Sequence, residues 1–296
     1  MTMFLNEHLT AAINIAIKSH LGIDASTRFI RPVTGGSINK CYQIEHGKQI
    51  FFLKLNSSKK LPAMFIAEAE GLKRIGQTST IKVPEVICYG SSADEQFLVL
   101  EWIESGIVSD VSQENLGRGL ARLHKSTQLQ FGLDHDNYMG SLAQLNNRHY
   151  SWNEFFIEQR LKPQVELGKK NDLLPSDILD QFELLYNKLD SLYPAEKPAL
   201  IHGDLWNGNY LVDNTAQAVL IDPAISYSNR EVDIAMTTLF GGFSKYFYDA
   251  YNEVFPLQKG WEQRLDLWNL YPLLIHVNLF GTSYLDGVKH NLAKFV

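Results

Sequence analysis

The sequence predicts an α+β fold in two lobes, a β-rich part over residues 1–103 and a mainly helical part over 104–296. Three observations predict it. Short β-branched and aromatic runs crowd the first hundred residues, and helical periodicity takes over beyond Glu104. Between residues 199 and 223, two short apolar strands, each ending in an acid, interrupt the helices. The 296 residues exceed one ordinary small domain, and a hydrophobic fraction of 45% is enough to build a core for each part.

Taken in order, MTMFLNEHLTAAINIAIKSH carries an early acid, Glu7, and lacks a basic start, an unbroken apolar run and a cleavage site. It predicts an amphipathic helix, not a secretory leader. RFIRPV (28–33), CYQIE (41–45) and QIFFLKL (49–55) read as strands, the last two joined by a hairpin at Glu45–Lys48. A helix is expected from about Met64 to Ile75, then strands EVICY (85–89), set off by Pro84, and FLVLEWI (97–103). The order β-β-β-α-β-β predicts a five-stranded antiparallel sheet carrying one helix. Beyond it, Leu116, Leu120 and Leu123 make a helical stripe, and residues 131–150, rich in Gly, Asn, Asp and His, read as a loop. Ser151 and Glu154 form a capping-box signature for SWNEFFIEQRL, and Leu179, Phe182, Leu185 and Leu189 mark another helix. ALIHGDLWNGNYLVD (199–213) and AVLIDP (218–223) supply the two short strands, and the remainder is aromatic-rich helix. A cleft is expected between the lobes.

The net charge of −6 and the absence of a Lys/Arg run argue against a nucleic-acid surface. No stretch approaches the ~18 apolar residues of a membrane span. Cys41 and Cys88 are too few for a disulfide framework and read as buried thiols in a reducing compartment. A soluble, cytoplasmic protein is expected, a monomer with a dimer left open.

The chemistry concentrates in His202-Gly203-Asp204-Leu205-Trp206-Asn207-Gly208-Asn209, followed by Asp222 at the end of an apolar strand. Taken singly, Asp204 and Asn209 could be turn residues. Together with the strand-Asp-Pro that follows, they match what phosphoryl transfer requires: a carboxylate for the attacking hydroxyl, and oxygen ligands for a Mg²⁺ that bridges phosphates. Magnesium keeps several waters, so one Asp and one Asn suffice from the protein. Lys54 alternates with Leu53 and Leu55 and so faces away from them. Glu68 shares a helical stripe with Phe65, Leu72 and Ile75, whereas Glu70 lies about 200° round the helix. An acid on the buried stripe needs a cation, which makes Glu68 the expected partner of Lys54 and Glu70 a surface acid. Thr34-Gly35-Gly36-Ser37 joins two strands where glycines let backbone N–H groups approach phosphates, although Gly-Gly also marks ordinary hairpins. Trp206 offers a flat face and an indole donor to a sugar, or packs in the core.

HGDLWNGN with the downstream IDP resembles the signature of aminoglycoside-phosphotransferase-like kinases, and Trp206 with Gly208 before the Asn is similar to the fructosamine (ketosamine) kinase branch. The resemblance runs through GGSINKCY, LKLN, MFIAEAEGL, VPEVICYG, LVLEWIE, LARLHKST, FGLDHDNYMGS and YPLLIHVNLFG. It implies a protein-kinase-like fold that uses ATP and Mg²⁺, with Asp204 as catalytic base and Asn209 and Asp222 on the metal. Lys54 would reach the α- and β-phosphates, Gly35, Gly36 and Ser37 would cover them, and the Glu101 carbonyl and Ile103 amide would hold adenine. Asp233 is expected to cap a helix or brace the loop, and His202 to fix the loop. The segment with His276 and Asn278 would line the acceptor pocket, giving His276 and Trp206 to the substrate. The implied acceptor is a small-molecule or protein-bound ketosamine, phosphorylated on its 3-hydroxyl. Aminoglycoside, choline or homoserine kinases of the same fold, and a nucleotide-binding module without turnover, are the rival readings.

Overall fold

The computed structural model describes residues 6–34 and 38–296. The chain forms two compact units, Met1–Ile107 with Leu211–Asp222, and Val108–Tyr210 with Pro223–Val296. Residues 211–222, which the sequence reading left in the helical part, pack with the first unit.

The first unit opens with α1 (Glu7–Leu21), capped by the Asn6 side chain, which accepts from the His8 amide, and ended by Gly22 in the left-handed conformation. Strands β1 (Thr27–Val33), β2 (Lys40–His46) and β3 (Gln49–Ser57) precede α2 (Met64–Gln77), and β4 (Val86–Ser92) and β5 (Glu95–Glu101) follow it. The strands form one antiparallel sheet in the order β1-β2-β3-β5-β4. Alternation gives it two different faces. Tyr42, Ile44, Leu53, Leu55, Phe97 and Val99 share a buried cluster with Leu9, Ile13 and Ile17 of α1, so that helix covers one face. Cys41, Lys54 and Leu98 are successive cross-strand partners and occupy the other face, where α2 brings Glu68 to Lys54.

In the second unit α3 (Asp110–Leu123) starts at a full capping box between Ser109 and Ser112. The stretch read as a loop at 131–150 contains a hairpin, β6 (Asn137–Met139) paired with β7 (Leu142–Gln144). Then α4 (Trp152–Phe155) runs through a π-helical stretch, Phe156–Leu161, into α5 (Lys162–Lys170). Only half of the expected box forms here. Ser151 Oγ accepts from the Glu154 amide, while the Glu154 carboxylate lies 3.7 Å from His149 Nδ1. After α6 (Ser176–Tyr186) comes β8 (Ala199–Ile201). The chain then passes through β9 (Tyr210–Val212) and β10 (Ala218–Leu220) to β11 (Ser226–Ser228), which pairs antiparallel with β8. Helices α7 (Glu231–Leu239), α8 (Lys245–Val254), α9 (Trp261–Trp268), α10 (Leu270–Phe280) and α11 (Leu285–Leu292) complete the chain. The core of this unit joins Trp152, Phe155, Phe156, Phe182, Trp268 and Leu274. Among the described residues no helix is long and apolar enough to cross a membrane.

Strands β9 and β10 pair with each other, and their turn docks on the first unit. The Leu220 amide donates to the Lys82 carbonyl (2.9 Å), and the Gly106 amide donates to the Val212 carbonyl (2.7 Å). Between the strands the buried Asp213 carboxylate accepts from the Thr215 hydroxyl and amide, the Gln217 amide and Lys82 Nζ. Burial opposes its charge, but these donors outweigh it and hold the carboxyl well below the usual carboxylate range. This turn therefore delivers Asp222, at the end of β10, to the first unit.

Candidate active site

Lys54 is the charged centre of the first unit. Only 2% exposed, it donates to Glu68 Oε1 at 2.7 Å and to Asp222 Oδ1 at 2.6 Å. Burial alone would lower the ammonium, but the charges of Asp222 and Glu68 outweigh that and raise it, so Lys54 stays protonated. One cation thus serves two acids. The deeply buried Glu68 is left short of compensation: burial pushes it up to about 7, against the pull of Lys54 and with the further push of Asp222. The Asp222 side chain is 41% exposed. Its backbone is left-handed, with φ +54°, a conformation that Asp tolerates better than most L-residues and that persists only where contacts hold it. Here the Lys54 ammonium holds one carboxylate oxygen and leaves the other for a further ligand. Glu70 is exposed.

Cys41 pairs across the strands with Lys54 and is buried, whereas Cys88 is half-buried, a correction to the expected burial. Burial pushes both thiols up, to about 11 and about 12, so neither is poised as a thiolate. Glu101 ends β5, where its carboxylate accepts from the Glu85 amide (3.2 Å), and Ile103 follows as a buried residue. Gly35, Gly36 and Ser37 lie outside the described residues.

The second unit holds the His202–Asn209 loop, which leaves the end of β8. Asp233, in the first turn of α7 and fully buried, accepts from the His202 amide (2.7 Å), the Gly203 amide (2.8 Å) and His124 Nε2 (3.1 Å). Burial alone would raise this carboxyl. The His124 hydrogen bond, electrostatic attraction to the His124 and His202 rings and the Gly203 amide outweigh it and lower the pKa. His124 in turn hydrogen-bonds the Tyr251 hydroxyl through Nδ1 at 2.7 Å. Gly203 has φ +86°, and a Cβ there would lie 2.1 Å from the Ala224 carbonyl oxygen, so only glycine fits. His202 is buried, and its Nδ1 accepts from the Asp204 amide.

Asn209 Nδ2 donates to both the Asp204 carbonyl (2.9 Å) and Asp204 Oδ2 (2.8 Å). These two hydrogen bonds orient the carboxylate and occupy the amide nitrogen, which leaves the Asn209 amide oxygen as the group that would accept a cation. Among the described residues no three His, Cys, Asp or Glu side chains gather into a metal cage. A Mg²⁺ that takes most of its ligands from phosphates and water needs no such cage, and the Asn209 amide oxygen and the Asp222 carboxylate are each of a type that this ion accepts.

Trp206 lies across Gly208, where a Cβ would sit 2.3 Å from the indole. Its ring meets Phe240 edge-on at 5.8 Å, and Phe240 lies 5.2 Å from His276. His276 Nδ1 donates to the Pro272 carbonyl (2.6 Å), which fixes the ring and leaves Nε2 for another partner. Asn278 has a structural task, donating to the Gln164 carbonyl and Oε1 at 3.0 Å each and so tying α10 to α5. The sequence reading missed His124, Tyr251 and Phe240. His124 sits four residues beyond Leu120 on the inward stripe of α3, so its direction could have been read, but its partner, 109 residues away, could not.

A lysine–glutamate pair between sheet and helix, with an aspartate–asparagine loop braced from the following helix, defines a phosphotransferase of protein-kinase-like fold. The amicoumacin kinase hAmiN, solved with AMP-PNP, Ca²⁺ and Ami, shares this fold (TM-score 0.62, 13% identity, 98% of this chain and 93% of that one). The family model for fructosamine kinase matches residues 9–296, and the chain belongs to the fructosamine kinase family. A Synechocystis protein named "probable ketoamine kinase" is 43% identical over 268 residues, 89% of each chain. The chloroplastic protein-ribulosamine 3-kinase of Arabidopsis thaliana is 39% identical over 262 residues, 86% of this chain and 78% of that one.

Proposed function

We propose that the protein transfers the γ-phosphoryl group of ATP to the 3-hydroxyl of a ketosamine. In this reading the Asp204 carboxylate accepts the proton of the sugar hydroxyl as the new O–P bond forms, and the bond from the γ-phosphorus to the β,γ-bridging oxygen breaks to release ADP. Lys54, kept charged by its two acids, meets the α- and β-phosphates, and Glu68 fixes its position. Asn209 and Asp222 are the proposed Mg²⁺ ligands, and that ion supplies neutralisation of charge on the transferring phosphoryl group. The Glu101 carbonyl and Ile103 amide are assigned to adenine, and Gly35, Gly36 and Ser37 to the phosphates. Trp206 and His276 are assigned to the sugar. The 3-phosphate formed is unstable and eliminates, freeing the amine, so the net effect is deglycation of a protein or a free amine. The cytoplasm, which supplies ATP, is the proposed site of action.

The observation that carries this reading is the Asp204–Asn209 pair. The loop orients a carboxylate with an amide, while a second acid, Asp233, takes up the two backbone N–H groups just before it. Such a brace suits a base that must be held in one place. The test is ATP consumption with ribulosamine, erythrulosamine, fructosamine, choline and an aminoglycoside, and phosphorus NMR to locate the product phosphate. Turnover confined to ketosamines and phosphate on O3 are expected. Asp204→Ala is expected to abolish turnover while ATP still binds. Turnover with choline or the aminoglycoside alone would overturn the acceptor, and nucleotide binding without turnover on any of them would overturn the enzyme reading.

A further inference from the structure

A row of aromatic rings in the second unit leads from the His202–Asn209 loop to the surface. It begins at Trp206, passes Phe240 and His276, and ends at Phe280 and Tyr284, which lie 5.6 and 4.8 Å from the His276 ring. The near end is firmly held, by Gly208 beneath Trp206 and by Pro272 behind His276. The row is nonetheless open to solvent: Phe240, beside Trp206, is 39% exposed, and Phe280, at the far end, is 53% exposed. Phe280 lies one helical turn after His276 on α10, and Gly281, with φ +87°, then ends the helix and leads to Tyr284. Exposed large apolar side chains joined in one patch are unusual on a surface, where single ones need no explanation.

Resting on the ketosamine reading above, we propose that Phe240, Phe280 and Tyr284 form a wall for the alkyl arm of the ketosamine's amine. The chemistry of the acceptor selects this occupant. The sugar end is hydroxylated and needs polar partners, which Trp206 Nε1 and His276 Nε2 can provide. The amine is cationic and suits the face of an indole or phenyl ring. The carbon chain beyond the nitrogen is the apolar segment, the part of the acceptor that gains most from contact with Phe240, Phe280 and Tyr284. An arm that must continue outward, whatever it is attached to, also accounts for a wall that opens to solvent instead of closing over its ligand. The wall therefore reads the arm by its length and polarity and sets selectivity among amines that carry the same sugar.

The experiment is kcat/KM for ribulosamine adducts of methyl-, ethyl-, propyl- and butylamine, and of an arm of equal length ending in a carboxylate. Full burial of a methylene corresponds to a factor of about four, so a one-sided wall is expected to give about twofold per added carbon. The carboxylate-ended arm is expected to lose that gain. Phe280→Ala and Tyr284→Ala, both at the exposed end, are expected to flatten the slope of rate against length, with Phe280→Leu intermediate. The slope is the readout, so a uniform loss of folded enzyme does not imitate the effect. An equal rate for every arm, or an unchanged slope in both alanine variants, overturns the wall while leaving the ketosamine reading intact. No turnover with any adduct overturns the ketosamine reading and the wall with it. A wild-type dimer that Phe280→Ala converts to a monomer assigns the patch to a second copy of the chain and overturns the wall.

Discussion

Replacing Asp233 by asparagine tests whether the loop is held from behind. Three donors converge on this carboxylate, two of them backbone amides of the loop at 2.7 and 2.8 Å. The third is His124 Nε2 at 3.1 Å. An amide has one oxygen, so Asp233→Asn turns an N–H group toward at least one of these donors. A hydrogen bond to a charged group is worth about 1.5–3 kcal/mol, and an unsatisfied buried donor adds about 1–3 kcal/mol. The expected loss is about 3–5 kcal/mol, the range for removing one partner of a buried ionic pair. At ~2–4 °C per kcal/mol for a chain of this size, the melting temperature should fall by about 10 °C. Displacing the loop by about 1 Å should lower kcat by on the order of a hundredfold. The Kd for ATP should hold, because none of the contacts of Lys54, Glu68 or Asp222 includes Asp233. A pH arm separates this from general damage. The folded pKa of Asp233 lies below its ordinary 3.8, so its contribution is present above that value and lost as pH falls through the lower folded value. The variant should lack that acid limb. Calorimetric melting across pH, with kcat and the ATP Kd on the same samples, is the measurement. Wild-type melting and kcat in Asp233→Asn would refute the brace.

Asp222→Ala should lower kcat by a hundredfold or more, on the order expected for losing one group that stabilises transition-state charge. Mg²⁺ added after chelation should restore the wild type and leave the variant flat in a titration of rate against free metal. Burial holds the Glu68 carboxyl above its ordinary 4.5, so stability conferred by its proton is complete below 4.5 and is lost as pH rises through the higher folded value. Glu68→Gln should remove that slope from melting curves taken between pH 4 and 8.5. Gly208→Ala places a Cβ inside the Trp206 ring, so the indole must move, at a cost of about 1–3 kcal/mol. The acceptor kcat/KM should fall by about tenfold with the ATP Kd unchanged, checked by steady-state kinetics and by a shift in tryptophan fluorescence.

How far the fold could be read from the chain depended on whether a segment's partners were local. Strands β2, β3 and β5 and helix α2 announce themselves because an apolar side must alternate at a fixed period. The same reasoning chose Glu68 over Glu70, since a helix angle of about 200° separates a buried acid from an exposed one. The hairpin at 137–144 obeys no such pattern. Two of its three buried residues are polar, Asn137 and Gln144 beside Met139, and they are held to each other and to the Ile225 and Ala224 carbonyls, so polar side chains occupy positions where a strand usually shows apolar ones. The π-helical stretch is hidden for the opposite reason: within Phe156–Leu161 Glu158 alone is exposed, and a run buried almost all round carries too weak a phase for a widened turn to be read.

The site divides along the same line. Asp204 and Asn209 lie five residues apart because one loop must present both, and that spacing is visible in the sequence. The tie from Lys54 to Asp222 spans 168 residues, and the one from Asp233 to the loop about thirty. No local preference encodes either, since an isolated lysine or a helix-start aspartate looks the same with or without its partner. What can be read locally is the penalty. A lysine set between leucines on a strand, or an acid on an apolar stripe, is costly to bury alone and therefore declares that a partner exists. The topology then says which: β10 delivers Asp222 to Lys54, and α7 delivers Asp233 to the amides of His202 and Gly203. Buried charge in a sequence is thus a question about long-range contacts: at Lys54 the fold answers it with a second carboxylate, and at Asp233 with two backbone amides and His124.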